Sequence, residues 1–230
     1  MAIQIPRWLV PDGVPIVYVN EVLTHTDWPQ VDAIELFNPN AQAVDIGGWY
    51  LTDDPGTPTK YRLPNNTSIP ANAYLVILED NDGDPANNAS LPPEFFGSAF
   101  SLSSTGDEIY LYSADSRGLT GFRNGFGFRG AANGVSFSRL TNSAGEDRYA
   151  ASSSNTLGSA NADPVMPEIV ISEIMYHPQD PTAEYVEIWN VSGRTVLLYD
   201  QANPLNTWRL DGMNFDFPAG ESLAPGEVAL

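Results

Sequence analysis

A chain of 230 residues with 29 acidic against 10 basic side chains carries a formal charge of −19. So acidic a surface repels phosphate backbones and anionic headgroups, which argues against general nucleic-acid binding and attachment to a lipid surface. The absence of cysteine excludes disulfides and thiolate chemistry but not an extracellular site, because a core of this size can hold itself.

Taken in order, residues 1–15 read as a leader or the end of a preceding segment. Residues 1–10 lack the basic and apolar regions of a signal peptide, so in an exported protein the signal would lie upstream. No apolar run approaches the length of a membrane span, so no membrane insertion is expected. Short runs rich in branched and aromatic residues follow at 17–23, 33–37, 74–78, 108–112 and 135–140, each bounded by Gly, Pro, Asn or Asp. With 19 glycines and 19 prolines, few long helices would survive, and no helical apolar period runs beyond two turns. Evenly spaced short strands predict an all-β sandwich or barrel.

The chain writes one unit twice. Val17-Tyr-Val-Asn-Glu21-Val-Leu and Ala33-Ile-Glu35-Leu-Phe-Asn38 return as Ile169-Val-Ile-Ser-Glu173-Ile-Met and Tyr185-Val-Glu187-Ile-Trp-Asn190, 152 residues on. From Leu63 to Val76 the match resumes against Phe217 to Leu230 at an offset of 154. A repeat sets the architecture before any other feature. Residues 16–162 are expected to form a complete first unit, 163–168 a semi-rigid linker held by Pro164 and Pro167, and 169–230 the N-terminal part of a second unit. The first unit exceeds an immunoglobulin-type sandwich of about 100 residues, and the surplus is expected in loops at 79–97 and 115–133. The second unit lacks a counterpart of everything after Val76. Residues outside the segment, or strands lent by a neighbouring molecule, are expected to complete it.

These motifs resemble the lamin tail domain family in its bacterial branch. The resemblance rests on Val19-Asn-Glu-Val22, Asp32-Ala-Ile-Glu35-Leu-Phe-Asn38, Val44-Asp-Ile-Gly-Gly-Trp49-Tyr-Leu-Thr-Asp53, Ile69-Pro-Ala-Asn72 and Gly106-Asp-Glu-Ile-Tyr-Leu111. In the second copy it rests on Ile171-Ser-Glu-Ile174, Glu184-Tyr-Val-Glu187-Ile-Trp-Asn190 and Leu223-Ala-Pro-Gly226. That copy departs at the Gly-Trp element, where Leu197-Leu-Tyr-Asp200 and a Trp208-Arg-Leu segment stand instead. The resemblance implies tandem immunoglobulin-like β-sandwiches, the second incomplete. It also implies a segment of a large exported multidomain protein, beside kinase-like, nuclease or phosphatase modules. Nuclear lamina function is not implied, since fold alone says little of activity.

Several constellations bear on chemistry. Glu21 and Glu35 raise the question of paired acid–base carboxylates. Their return as Glu173 and Glu187 fits a structural role better, the glutamates pairing with arginine or capping loop amides; Trp49 joins them as a core residue. Alternation sets Glu35 in phase with Ala33 and Phe37, opposite Ile34 and Leu36, and either face could be the core. Asp80, Asp82 and Asp84, with Gly83 between, resemble a calcium loop, although the twelfth position is Leu91 rather than the glutamate of an EF-hand. The alternative is a solvated turn. Phe122, Arg123, Phe126, Phe128 and Arg129 form either a contact loop for protein or carbohydrate or a glycine-rich loop pinning aromatics to the sandwich. His25 and His177 occupy equivalent places after the first strand of each unit, which suggests loop packing, since no third metal ligand is evident. No nucleophile motif or phosphate loop is present.

The sequence therefore predicts a non-catalytic binding, adhesion or spacer module of a larger bacterial surface or secreted protein, extracellular, with no cofactor beyond a candidate calcium ion. Its partners would be cell-surface protein or carbohydrate and other domains of the same polypeptide. The alternative is an ancillary pair of domains that positions a hydrolase or kinase-like domain encoded elsewhere.

Overall fold

The computed structural model describes residues 11, 13–79, 94–95, 99–180 and 183–230. All regular structure among them is β, and the chain divides into two compact units between Val165 and Met166.

In the first unit the branched and aromatic runs form β1 (Tyr18–Leu23), β2 (Ala33–Phe37), β3 (Val44–Asp45), β4 (Tyr50–Thr52), β5 (Tyr61–Arg62), β6 (Ser68–Ile69), β7 (Tyr74–Glu79), β8 (Glu94–Phe95), β9 (Gly106–Asp115), β10 (Gly118–Arg129), β11 (Ser136–Thr141) and β12 (Asp147–Ala151). One sheet runs β12-β11-β1-β2-β7-β8, the other β10-β9-β4-β5, and β3 pairs with β6. Val19, Val22, Ile34, Leu36 and Ile77 from the first sheet meet Leu51, Ile109, Leu111, Phe122 and Phe126 from the second in one core. Trp49 closes it against Phe122, ring centres 5.9 Å apart. The alternation left open by sequence resolves here. Ile34 and Leu36 face the core, so Glu35 points to the opposite face of the sheet.

The expected loop at 115–133 is instead mostly strand β10, paired with β9 along most of its length. Its glycines are what the pairing needs. At Gly125, with φ of +155°, an added Cβ would lie 2.1 Å from the Ile109 carbonyl oxygen and 2.6 Å from Tyr110 Cα, so no side chain fits between the strands. Most of the other expected loop, 79–97, lies outside the described residues. The linker is also shorter than expected. Ser153 N donates to Asp163 O (2.9 Å) and Val165 N to Ala151 O (2.7 Å), which ties Asp163 and Val165 to the end of β12.

The second unit comprises β13 (Ile169–Met175), β14 (Tyr185–Asn190), β15 (Val196–Leu197), β16 (Arg209–Leu210), β17 (Phe215–Asp216), β18 (Ser222–Leu223) and β19 (Val228–Ala229). Its pairings β13–β14, β14–β19, β15–β18 and β16–β17 reproduce β1–β2, β2–β7, β3–β6 and β4–β5. The asparagine lock recurs as well. Asn38 Nδ2 donates to the carbonyls of Gln42, Ile69 and Pro70, each at 2.9 Å. Asn190 Nδ2 donates to those of Arg194, Leu223 and Ala224 at 2.8, 2.8 and 3.0 Å. The Gly-Trp element, which sequence places only in the first copy, has a counterpart too. Leu63 N donates to Trp49 O (2.8 Å), and Phe217 N donates to Trp208 O (2.9 Å). Trp208 therefore holds the place of Trp49, displaced in sequence by a longer loop before it and a shorter one after.

Candidate functional site

Among the described residues, the outer face of β1 and β2 holds a constellation that could be mistaken for acid–base machinery. Between Val19 and Glu21 the register slips, and Asn20 is the extra residue of a β-bulge. The bulge turns the side chains of Asn20 and Glu21 toward Glu35, which sits directly across from Glu21. The Val19 N–H freed by this distortion finds Asn124 Oδ1 at 2.7 Å.

Both carboxylates are fully buried, and what buries them is the segment after β12. Glu21 Oε1 accepts from Ser136 Oγ (2.5 Å) and Thr156 N (3.0 Å), and its Oε2 accepts from Thr156 Oγ1 (2.7 Å). Glu35 Oε1 accepts from Asn20 Nδ2 (2.7 Å), and its Oε2 accepts from Gly158 N. Asn161 completes the seal, bonded to the Asn20 side chain and donating to Arg139 O at 2.6 Å. Residues 156–161 thus form a cap of amides over two carboxylates. No spacing announced them. The signal was the pair of glutamates, which demands donors wherever it is buried.

Burial pushes the Glu35 carboxyl up to about 7. The hydrogen bonds from Asn20 and Gly158 oppose this, and the neighbouring charge of Glu21 adds to it. An acid so placed resembles a general acid in its protonation, but all four carboxylate oxygens of the pair already accept from protein donors. The pair caps loop amides and a hydroxyl rather than pairing with arginine.

In the second unit the same local geometry stands without its cap. The register slips between Ile171 and Glu173, and Glu173 faces Glu187. Ser172, in place of Asn20, donates Oγ to Glu187 Oε1 at 2.7 Å. Tyr185 Oη donates to Glu173 Oε1 at 2.7 Å. Here Glu173 is exposed and Glu187 half-buried. The histidines follow suit. His25 Nδ1 lies 2.7 Å from Ala131 O, and its carbonyl accepts from Gly134 N, whereas His177, with no such loop against it, is exposed.

The expected contact loop is corrected. Phe122, Phe126 and Phe128 are buried in the core. Phe126 stacks on Tyr149 with ring centres 3.6 Å apart, and Phe128 stacks on Phe137 at 5.7 Å. They alternate inward along a strand, so they cannot serve as a contact surface. Arg129 is exposed, and Arg123 lies over the rings of Tyr110 and Tyr112 at 5.4 and 5.9 Å. Cross-strand register aligns Arg123 with Tyr112, Tyr112 with Tyr50, and Tyr50 with Arg62. A row Arg–Tyr–Tyr–Arg therefore crosses the outer face of the four-stranded sheet. Sequence reasoning missed it because its members lie on four different strands.

Asp80, Asp82 and Asp84 lie outside the described residues. Among the described residues no group of three or more His, Asp or Glu side chains is placed to hold a metal ion.

With the geometry in hand, a family model described as Lamin Tail Domain matches residues 13–123. Over those residues the chain is similar to the lamin tail domain family. The match ends inside β10, and the sandwich continues in this chain through β11, β12 and the amide cap. No curated protein and no solved structure gives a significant match. The family is a non-enzymatic, immunoglobulin-like one, in keeping with carboxylates spent on structure.

Proposed function

We infer that the chain is a non-catalytic binding and spacer module of a larger bacterial surface or secreted protein, acting outside the cell. In this reading the second unit is a further, partial lamin tail domain. The observation that supports binding is the solvent-side row Arg62, Tyr50, Tyr112 and Arg123. Flat aromatic faces flanked by guanidinium groups suit a sugar ring or an acidic peptide. In a chain with only 10 basic residues, two of them framing two tyrosines is a concentration of positive charge. The test is binding of the labelled chain to a glycan array and to envelope fractions of the source cells. Wild type should bind, and Tyr112→Ala with Arg123→Ala should lose about tenfold or more in affinity with an unchanged far-UV spectrum. Binding that ignores the double substitution, or no binding to either set, overturns the reading. Protease shaving of intact cells tests the extracellular assignment. A calcium ion on Asp80, Asp82 and Asp84 belongs to the same proposal. A calcium-dependent rise in Tm that Asp82→Asn removes would support it, and an unchanged melt returns the loop to a turn.

A further inference from the structure

The loop between β1 and β2 carries a tryptophan that neither the core nor the Arg–Tyr row uses. Trp28 is 80% exposed, against 5% for Trp49, and so large an aromatic side chain is highly buried on average. The loop beneath it is braced on both sides. His25 Nδ1 lies 2.7 Å from Ala131 O, and Gly134 N donates to His25 O at 2.8 Å. Thr26 Oγ1 donates to Asp32 Oδ1 at 2.9 Å, and Glu79 N donates to Asp32 O at 2.9 Å. Gln30 N closes the turn on Asp27 O at 3.0 Å, and Asn133 Nδ2 reaches over from the β10–β11 loop to donate to Asp27 Oδ2. The indole therefore stands on a fixed backbone, and a partner need not order that loop on binding.

The groups that share this tip narrow the choice of partner. Asp27, Gln30 and Asn133 are exposed. Gln30 is turned toward the Asn133 side, its Oε1 4.0 Å from where a Cβ would stand on Gly134. Apart from the adjacent Pro29, the tip offers a carboxylate and two amides, whereas an anchor for a protein partner sits among further apolar side chains. An anionic ligand meets Asp27 and a chain of charge −19, which repels it. A cationic one needs the Asp27 carboxylate, whose Oδ2 already accepts from Asn133. A neutral, polyhydroxylated ring suits all of these groups. Its C–H face packs on the indole, and its hydroxyls donate to and accept from the amides and the carboxylate.

We propose that Trp28, with Asp27, Gln30 and Asn133, forms a binding site for a neutral glycan. The site is separate from the Arg–Tyr row and does not rest on it. Arg123 pairs with Tyr112 six residues before Arg129, the last residue of β10, so the row lies about 20 Å along the strand from the end that leads into the 130–134 loop.

The experiment titrates the full chain with neutral hexasaccharides of glucose, mannose, galactose and N-acetylglucosamine, read by calorimetry and by tryptophan emission. At least one should bind. Trp28→Ala should weaken that binding about tenfold or more, and Trp28→Phe should weaken it less, since a smaller ring keeps a stacking face. Gln30→Ala should weaken it several-fold. Both positions are exposed, so an unchanged Tm serves as the control for folding. Raising salt from about 50 to about 500 mM should leave the affinity unchanged, because the ligand carries no charge to screen. Tyr112→Ala with Arg123→Ala should also leave it unchanged, so this site and the row fail separately. Affinity that survives Trp28→Ala overturns the proposal, as does a failure of all four hexasaccharides to bind. Trp28-dependent binding confined to a basic peptide and lost at high salt overturns it in favour of a protein partner.

Discussion

Burial of Glu35 makes the first unit a pH-dependent structure within the physiological range. Its carboxyl has an ordinary value of 4.5 and is held up to about 7 in the folded chain. Below pH 4.5 the group is protonated in both states and contributes no pH dependence. Between 4.5 and about 7 the unfolded chain gives up the proton while the folded chain keeps it, so stability falls as pH rises. Above about 7 both states are ionised and the loss is complete. At 1.36 kcal/mol for each pKa unit, the whole window is worth about 3 kcal/mol. Asp32, raised by burial, adds a component of the same sign at the acid end. The assay is urea unfolding read at buried Trp49 from pH 4.5 to 8, with a carboxyl-carbon NMR titration to assign the value to Glu35. Glu35→Gln, which removes the titrating group, should flatten the profile, at a pH-independent cost because its amide NH2 meets the Asn20 or Gly158 donor. A wild-type profile without slope in this window refutes the reasoning, as does a slope that Glu35→Gln leaves in place.

Two further outcomes follow from the repeat. Trp49→Ala should cost about 3–5 kcal/mol, as large aromatic deletions in a core do, and Trp208→Ala, at the same place in the half-open unit, should cost less than about half of that; equal costs in urea midpoints would mean that Trp208 is covered in solution. Asn38→Ala strips the Gln42, Ile69 and Pro70 carbonyls of their donor and should cost about 3 kcal/mol, given roughly 1–3 kcal/mol for each buried polar group left unmet. A loss under about 1 kcal/mol, measured the same way, would mean that water replaces the lock.

Much of the fold was legible where the side chains themselves choose extended backbone. The runs at 17–23, 33–37 and 74–78 became β1, β2 and β7 with ends shifted by at most a single residue, because branched and aromatic side chains pack on a pleated face whatever surrounds them. Strand β10 was misread for a physical reason. Its glycines at 118, 121, 125 and 127 look like a loop, yet Gly125 is glycine because the Ile109 carbonyl passes where a Cβ would stand. The spacing of Phe126 and Phe128, two residues apart, was the signal available. The Trp208-Arg-Leu segment was read as a departure from the Gly-Trp element rather than its counterpart, because loop lengths change on both sides of Trp208. The amide cap escaped because backbone N–H groups, which every residue but proline has, leave no trace in a sequence.

The distance along the chain between Glu21 and its donors carries one more consequence. Ser136 and Thr156 lie 115 and 135 residues downstream of it. At a synthesis rate of roughly 5–20 residues per second, β1 and β2 wait several seconds for the segments that will cover them. Throughout that interval an apolar sheet with a bare edge is exposed to every other nascent chain, the situation in which sheets aggregate. Two ionised glutamates side by side on that sheet, solvated until the last piece arrives, repel a foreign strand. In the second unit the equivalent Glu173 is exposed to water. The carboxylates that weaken the finished sandwich near neutral pH are the ones that guard it while it is being made.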